Sequence, residues 1–77
     1  MTNVEKLAKV FADTFGISEA ETEGLQYQGI EQWDSVGHMT LIAAIEDEFD
    51  IQLDTDDIID MSSFEKAREI LKKYNVA

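Results

Sequence analysis

The sequence contains no cysteine and no proline. Without cysteine there is no disulfide, no thiolate nucleophile and no cysteine-ligated metal. Any thioester chemistry must therefore take its sulfur from a cofactor. β-Branched runs are short, so helical periodicity is the pattern left to read. Positive charge is missing from most of the chain. Between Lys9 and Lys66 there is no lysine or arginine, and His38 is the one side chain there able to become a cation. Acids fill that span: Asp13, Glu19, Glu21, Glu23, Glu31, Asp34, Glu46, Asp47, Glu48, Asp50, Asp54, Asp56, Asp57, Asp60 and Glu65. The net charge of −11 repels nucleic acid and anionic membranes and steers the chain toward basic patches on partner proteins. A merely solubilising surface is the plainer alternative. No apolar run approaches the roughly 18 residues of a membrane span. The stretch Met1-Thr2-Asn3-Val4-Glu5-Lys6 lacks a charged-then-apolar leader pattern, so a cytoplasmic location is expected.

The chain has 77 residues, which makes residues 1–77 a single domain. A domain of this size buries roughly 60% of its unfolded surface, and stability is marginal. A hydrophobic fraction of 44% suffices for one core. No repeat, low-complexity tract or domain boundary interrupts it.

Four helical segments emerge in order. Val4, Leu7, Ala8, Phe11 and Phe15 share one helical face, and Thr2-x-x-Glu5 reads as a capping box, giving a first helix over about 3–15. Gly16 suits its left-handed terminus, with Ile17 as the accompanying apolar contact. A long connection over 16–34 follows. Ser18-x-x-Glu21 predicts one short turn within it, and Leu25, Tyr27, Ile30 and Trp33 pin it to the core. Asp34 is a favoured N-cap for a second helix over 35–49, whose core stripe is Leu41, Ile42, Ile45 and Phe49. Glu46, Asp47 and Glu48 oppose the dipole at its C-terminus, at about a few tenths of a kcal/mol each, which points to a role outside folding. Asp50-Ile51-Gln52-Leu53 is an extended link with Ile51 and Leu53 inward. Asp54 or Thr55 caps a short third helix over about 56–60, with Ile58, Ile59 and Met61 as apolar contacts. Ser62-x-x-Glu65 caps a fourth over about 63–74, carrying Phe64, Ala67, Leu71 and Tyr74. Arg68, Lys72 and Lys73 sit toward its favourable end. The expected fold is all-α, a small four-helix bundle with three longer helices and one short one.

Three groups of residues offer chemistry. The acidic run Asp54–Asp60 invites a calcium reading. It lacks the EF-hand glycine, however, and Glu65, at the twelfth position, already serves a cap. Weak divalent binding among Glu46, Asp47, Asp50, Asp54, Asp56 and Asp57 is the remaining expectation from mutual carboxylate repulsion. His38 stands three residues after Ser35, on the same helical face, where a base for that serine would stand. No triad, oxyanion hole or substrate pocket accompanies the pair, so His38 is read as a surface residue at a partner contact. Ser35 is either an ordinary first-turn polar residue or an attachment point. A helix N-terminus suits a covalently bound phosphate.

The segment Asp34-Ser35-Val36…Leu41…Ile45-Glu46-Asp47-Glu48-Phe49-Asp50-Ile51, with Leu53 beyond it and Trp33 before it, resembles the acyl carrier proteins. The resemblance covers nearly the whole chain. It implies a 4′-phosphopantetheine arm on Ser35, attached from coenzyme A by a phosphopantetheinyl transferase (holo-carrier synthase). The arm's thiol would hold acyl or related carboxylic intermediates as thioesters. Asp34 matches the family position that helps place the transferase's magnesium. Val36, Gly37, His38, Met39, Glu46, Asp47, Asp56 and Asp57 would form the partner surface. The partners are acyl-loading, acyl-transferring or condensing enzymes with basic patches. The resemblance implies no catalysis by the chain alone, no metal site of its own, no nucleic acid or membrane partner, and a monomer. In the family the bundle also shelters acyl chains between helices two and three. Ala43 and Ala44 beside Ile42, Ile59 and Met61 would leave such space, unless the small residues simply mark close packing.

Departures from the family pattern concentrate after the serine. Val36 replaces a commoner leucine, Gly37-His38 replaces polar or acidic residues, and Thr40 stands where glutamate is frequent. Gly37 is expected to loosen the first turn by up to about 1 kcal/mol relative to alanine. These departures point away from a housekeeping carrier, toward a dedicated one whose partners belong to fatty-acid, polyketide, lipid or surface-polysaccharide biosynthesis. The approach Ile30-Glu31-Gln32-Trp33 lacks the glycines usual in peptidyl carriers, although an aminoacyl cargo stays open. The alternative from a different class is an acidic helical interaction module or divalent-ion sensor with no arm.

Overall fold

In a computed structural model, residues 2–75 describe four α-helices: α1 Asn3–Phe15, α2 Ser35–Phe49, α3 Thr55–Asp60 and α4 Phe64–Lys73. Met1, which opens the stretch read for a leader, lies outside the described residues, as do 76–77. The architecture is all-α, and there is no strand among the described residues. A single 3₁₀ turn, Glu19–Thr22, interrupts the long connection between α1 and α2.

Helix α1 begins and ends as its sequence dictates. The Thr2 hydroxyl accepts from Glu5 N–H, and Glu5 accepts from Thr2 N–H, each at 3.1 Å. Gly16 closes it at φ 67°, a conformation that costs glycine little, and its N–H reaches the Ala12 carbonyl at 2.8 Å. The buried face is Leu7, Val10, Phe11, Ala12 and Phe15, whereas Val4 is 37% exposed. The expected stripe is thus rotated toward Val10 and Ala12. Apolar residues cover so much of this helix that spacing alone admits both faces. The neighbours choose: Phe11 meets Phe15, Trp33 and Phe64 edge to face, with ring centroids 6.0, 5.3 and 5.1 Å apart. Each such pair adds about 0.5–1.5 kcal/mol beyond burial.

The long connection is fastened in the middle and at its end. Tyr27 N–H donates to the Ser62 carbonyl at 2.8 Å and Phe64 N–H to the Leu25 carbonyl at 2.9 Å, an isolated bridge centred on Gln26 and Ser63. Leu25 and Trp33 are buried, and Tyr27 and Ile30 are half-buried. Ser18 precedes the 3₁₀ turn as expected, but its carbonyl, not its hydroxyl, receives the Glu21 N–H.

In α2, Leu41, Ile42 and Ile45 enter the core and Phe49 packs at its edge. Asp50 terminates the helix at φ 53°. Glu46 is not a spare acid, because its Oε2 accepts the Leu53 N–H at 2.8 Å and so holds the 50–53 link against the helix end. Leu53 is buried and Ile51 half-buried. Helix α4 is capped by Ser63, not Ser62: the Ser63 hydroxyl accepts from Lys66 N–H at 3.0 Å. The Ser62 carbonyl is instead spent on the bridge to Tyr27. Ile70 joins Phe64, Ala67 and Leu71 in the core.

Helix α3 has six residues and is held as much by polar as by apolar contacts. Asp54 occupies its N-cap position without a side-chain bond. Asp57, expected to face partners, turns inward and is only 4% exposed. Its carboxylate accepts from Lys73 Nζ and from the Tyr74 hydroxyl. Tyr74 in turn accepts the Asp54 N–H at 3.0 Å. Lys73 and Tyr74 lower the Asp57 pKa from the ordinary carboxylate value, and Asp57 raises both of theirs. Met61 is buried and Ile58 half-buried, but Ile59 is 73% exposed. Asp57 and Met61, four positions apart, set the inward side here, and Ile59, two positions after Asp57 and so about 200° around the helix from it, points to solvent.

Candidate functional site

The connection ends and α2 begins at Asp34. Its backbone is extended, and its Oδ1 accepts the Gly37 N–H at 2.8 Å, satisfying one donor of the first turn. Asp34 thus has a structural duty besides any toward a partner. Ser35, the next residue, is exposed. Gly37 is pressed against the end of the loop. A Cβ built there would lie 1.9 Å from the Gln32 carbonyl oxygen, so residue 37 lets loop and helix approach closely. The expected loosening of the turn is therefore offset by a contact that only glycine permits. Thr40 turns its hydroxyl onto the Val36 carbonyl at 3.1 Å.

His38 is not a free surface residue. Its ring is half-buried beside Trp33, with ring planes 15° apart and centroids at 6.2 Å. The Trp33 indole N–H donates to His38 Nδ1 at 2.9 Å. An indole nitrogen only donates, so Nδ1 accepts and carries no proton. The ring proton sits on Nε2, which donates to the Ile58 carbonyl at 2.7 Å. Both ring nitrogens are committed, and neither reaches Ser35. The hydroxyl of Ser35 instead meets that of Tyr27 at 3.2 Å.

These residues open onto a groove of about 390 Å³ between α2 and α3. Ser35, His38 and Met39 come from α2, Ile58 and Ile59 from α3, and Met61 and Ser62 from the turn beyond. Tyr27 closes the side nearest the serine. The walls are largely apolar, and Ser35 stands among the groove's few hydroxyls. A groove does lie between α2 and α3, at the start of α2 and away from the alanines read as leaving space. Ala43 and Ala44 do not line it, Ala43 is exposed, and Ile42 belongs to the core.

Of the residues expected at a partner surface, Val36 is 76% and Met39 56% exposed, and Asp47 and Asp56 are exposed as well. Gly37, His38, Glu46 and Asp57 are drawn into internal contacts. Ile59, anticipated as a core residue, joins the exposed apolar rim. Asp34, Asp56 and Asp60 add exposed acids close to it in sequence. Among the described residues, no three histidine, cysteine, aspartate or glutamate side chains gather where a metal ion could be held. No helix among them is long and apolar enough to cross a membrane.

Tyr27 and Ser62 were legible only as a loop anchor and a cap. That Tyr27 meets Ser35, and that Ser62 lines the same groove, depends on the bridge between the connection and the start of α4, a pairing across more than thirty positions that no local pattern encodes. No family model, curated protein or solved structure matches this chain.

Proposed function

We propose that this chain is a carrier protein of the acyl-carrier type, not an enzyme, with Ser35 as the attachment point for a 4′-phosphopantetheine arm. The observation that carries the proposal is the setting of Ser35. Its exposed hydroxyl opens the first turn of α2 at the rim of an apolar groove, and among the described residues its hydrogen-bond partner is Tyr27, not a histidine or carboxylate. A serine without a base is a poor nucleophile on its own. His38 is the one histidine, and its ring nitrogens are bound to Trp33 and Ile58. This setting suits a serine whose activating base comes from another protein, as it would if a transferase modifies Ser35. In that reaction the serine Oγ forms a bond to phosphorus and the pyrophosphate bond of coenzyme A breaks. Adenosine 3′,5′-bisphosphate leaves, and the serine proton passes to the transferase.

The residues present fit the group. The serine is open to solvent, and the neighbouring groove offers an apolar lining to a bound acyl chain. When bound, the arm supplies the thiol that this cysteine-free chain lacks and holds the cargo as a thioester. Val36, Met39 and Ile59 give partner enzymes an apolar contact near the attachment point. The exposed Asp34, Asp47, Asp56 and Asp60 favour partners with basic patches. The departures from the family pattern at Val36, Gly37 and His38 support a dedicated carrier for fatty-acid, polyketide, lipid or surface-polysaccharide synthesis.

Intact-mass measurement after incubation with coenzyme A and a broad-specificity phosphopantetheinyl transferase tests this. The wild-type chain gains one phosphopantetheine and Ser35→Ala gains none. An unmodified wild-type chain, or an equally modified mutant, overturns the assignment.

A further inference from the structure

We propose that Tyr27 is a positioning residue for the arm: its hydroxyl holds the phosphodiester on Ser35 and turns the arm toward the groove between α2 and α3. This rests on Ser35 being the attachment point. The starting observation is the hydroxyl pair, Tyr27 Oη to Ser35 Oγ at 3.2 Å. In the unmodified chain either oxygen can donate. Once Ser35 is esterified it has no proton left, so the contact persists only with Tyr27 donating. The negative charge then lies on the phosphodiester's non-bridging oxygens, two bonds away from Oγ through phosphorus. A hydroxyl donating to such an oxygen makes a charge-assisted bond, shorter and stronger than the hydroxyl pair it replaces.

Other side-chain donors near Ser35 are few among the described residues. No lysine or arginine occurs between Lys9 and Lys66 to pair with the phosphate from nearby sequence. His38 lines the same groove, but its Nε2 is taken by the Ile58 carbonyl. On the cap side, Asp34 fills the Gly37 N–H with its own carboxylate and repels a second anion. Tyr27 is also a rigid donor. Its backbone N–H is bonded to the Ser62 carbonyl at 2.8 Å. Its ring stands edge-on to Trp33 and His38, with centroids 6.1 and 5.6 Å away. Because Tyr27 forms a wall of the groove, a phosphodiester held by its hydroxyl starts the arm on the groove side of α2.

The test uses the arm-bearing protein and its Tyr27→Phe variant, which keeps the ring and removes only the hydroxyl. Intact mass first establishes that both carry the arm. Phosphorus NMR then reads the phosphodiester, and proton NOEs read whether the arm's geminal methyls lie near Met39 and Ile58. The expected result is a changed phosphorus shift and a loss of those NOEs in Tyr27→Phe. Thr40→Ala, which removes a hydroxyl of α2 outside the groove lining, keeps both signals. In the unmutated protein, attachment of the arm should also shift the Tyr27 Cζ resonance and leave Tyr74 in place. This measurement decides the matter even if Tyr27→Phe does not fold. Arm-bearing proteins with identical phosphorus shifts and NOEs, or an unmoved Tyr27 Cζ, overturn the role of Tyr27 and leave Ser35 as the anchor. Absence of any mass gain overturns both.

Discussion

The Trp33 indole N–H donates to His38 Nδ1 at 2.9 Å, and this bond directs the opposite ring nitrogen to the Ile58 carbonyl. One imidazole thereby links the end of the long connection, the first turn of α2 and the backbone of α3. His38→Ala leaves the indole N–H of the fully buried Trp33 without a partner and removes the tie to α3. An unsatisfied buried donor costs about 1–3 kcal/mol. The expected outcome is a lower urea midpoint corresponding to about 2 kcal/mol, with altered Trp33 fluorescence in the folded state.

Gly37→Ala sets two effects of opposite sign against each other. Helix propensity favours alanine by up to about 1 kcal/mol. The new methyl meets the Gln32 carbonyl, with 1.9 Å between Cβ and oxygen before any adjustment. Overpacking of this kind costs about 1–3 kcal/mol, and here the obstacle is backbone. Net destabilisation is expected in thermal or urea unfolding. A more stable variant would mean that the loop before Asp34 yields freely.

Asp57 ties α3 to the end of α4, and its pKa is lowered chiefly by the hydrogen bond from Lys73 and then by that from Tyr74. A carboxylate with a lowered folded pKa contributes stability above its unfolded value, about 3.9, and that contribution is lost as pH falls through the folded value. Lys73 and Tyr74 are raised chiefly by their bonds to Asp57. Their contribution is complete below their unfolded values, about 10, and is lost as pH rises through the raised ones. Asp57→Asn should therefore be less stable than wild type at neutral pH. The gap should narrow in acid below about pH 4 and again in alkali above about pH 10. Urea unfolding across pH checks this, and a gap independent of pH would contradict it.

The start of α4 offers a comparison between adjacent serines. Ser63→Ala removes the hydroxyl that accepts Lys66 N–H and should cost about 1 kcal/mol. Ser62→Ala leaves the carbonyl bonded to Tyr27 intact and should stay within about 0.5 kcal/mol of wild type. The reverse order would restore the cap to the Ser62-x-x-Glu65 pattern.

Local chemistry written in the sequence settled much of this protein. Thr2 and Glu5 made the start of α1, Gly16 its end, and Asp34 the start of α2, because caps and left-handed turns involve residues only a few positions apart. The same locality placed Ser35 in the exposed first turn of α2. The tertiary structure decided which apolar residues of α1 face inward. It also decided that Ser63 caps α4, that Asp57 is buried and Ile59 exposed, and that His38 is a clamp. It brought Tyr27 to Ser35. Most of these depend on a partner distant in the chain: Phe64 for Phe11, Lys73 and Tyr74 for Asp57, Ile58 for His38. Periodicity fixes where a side chain points around its own helix, but only packing fixes which neighbour fills the space it points into.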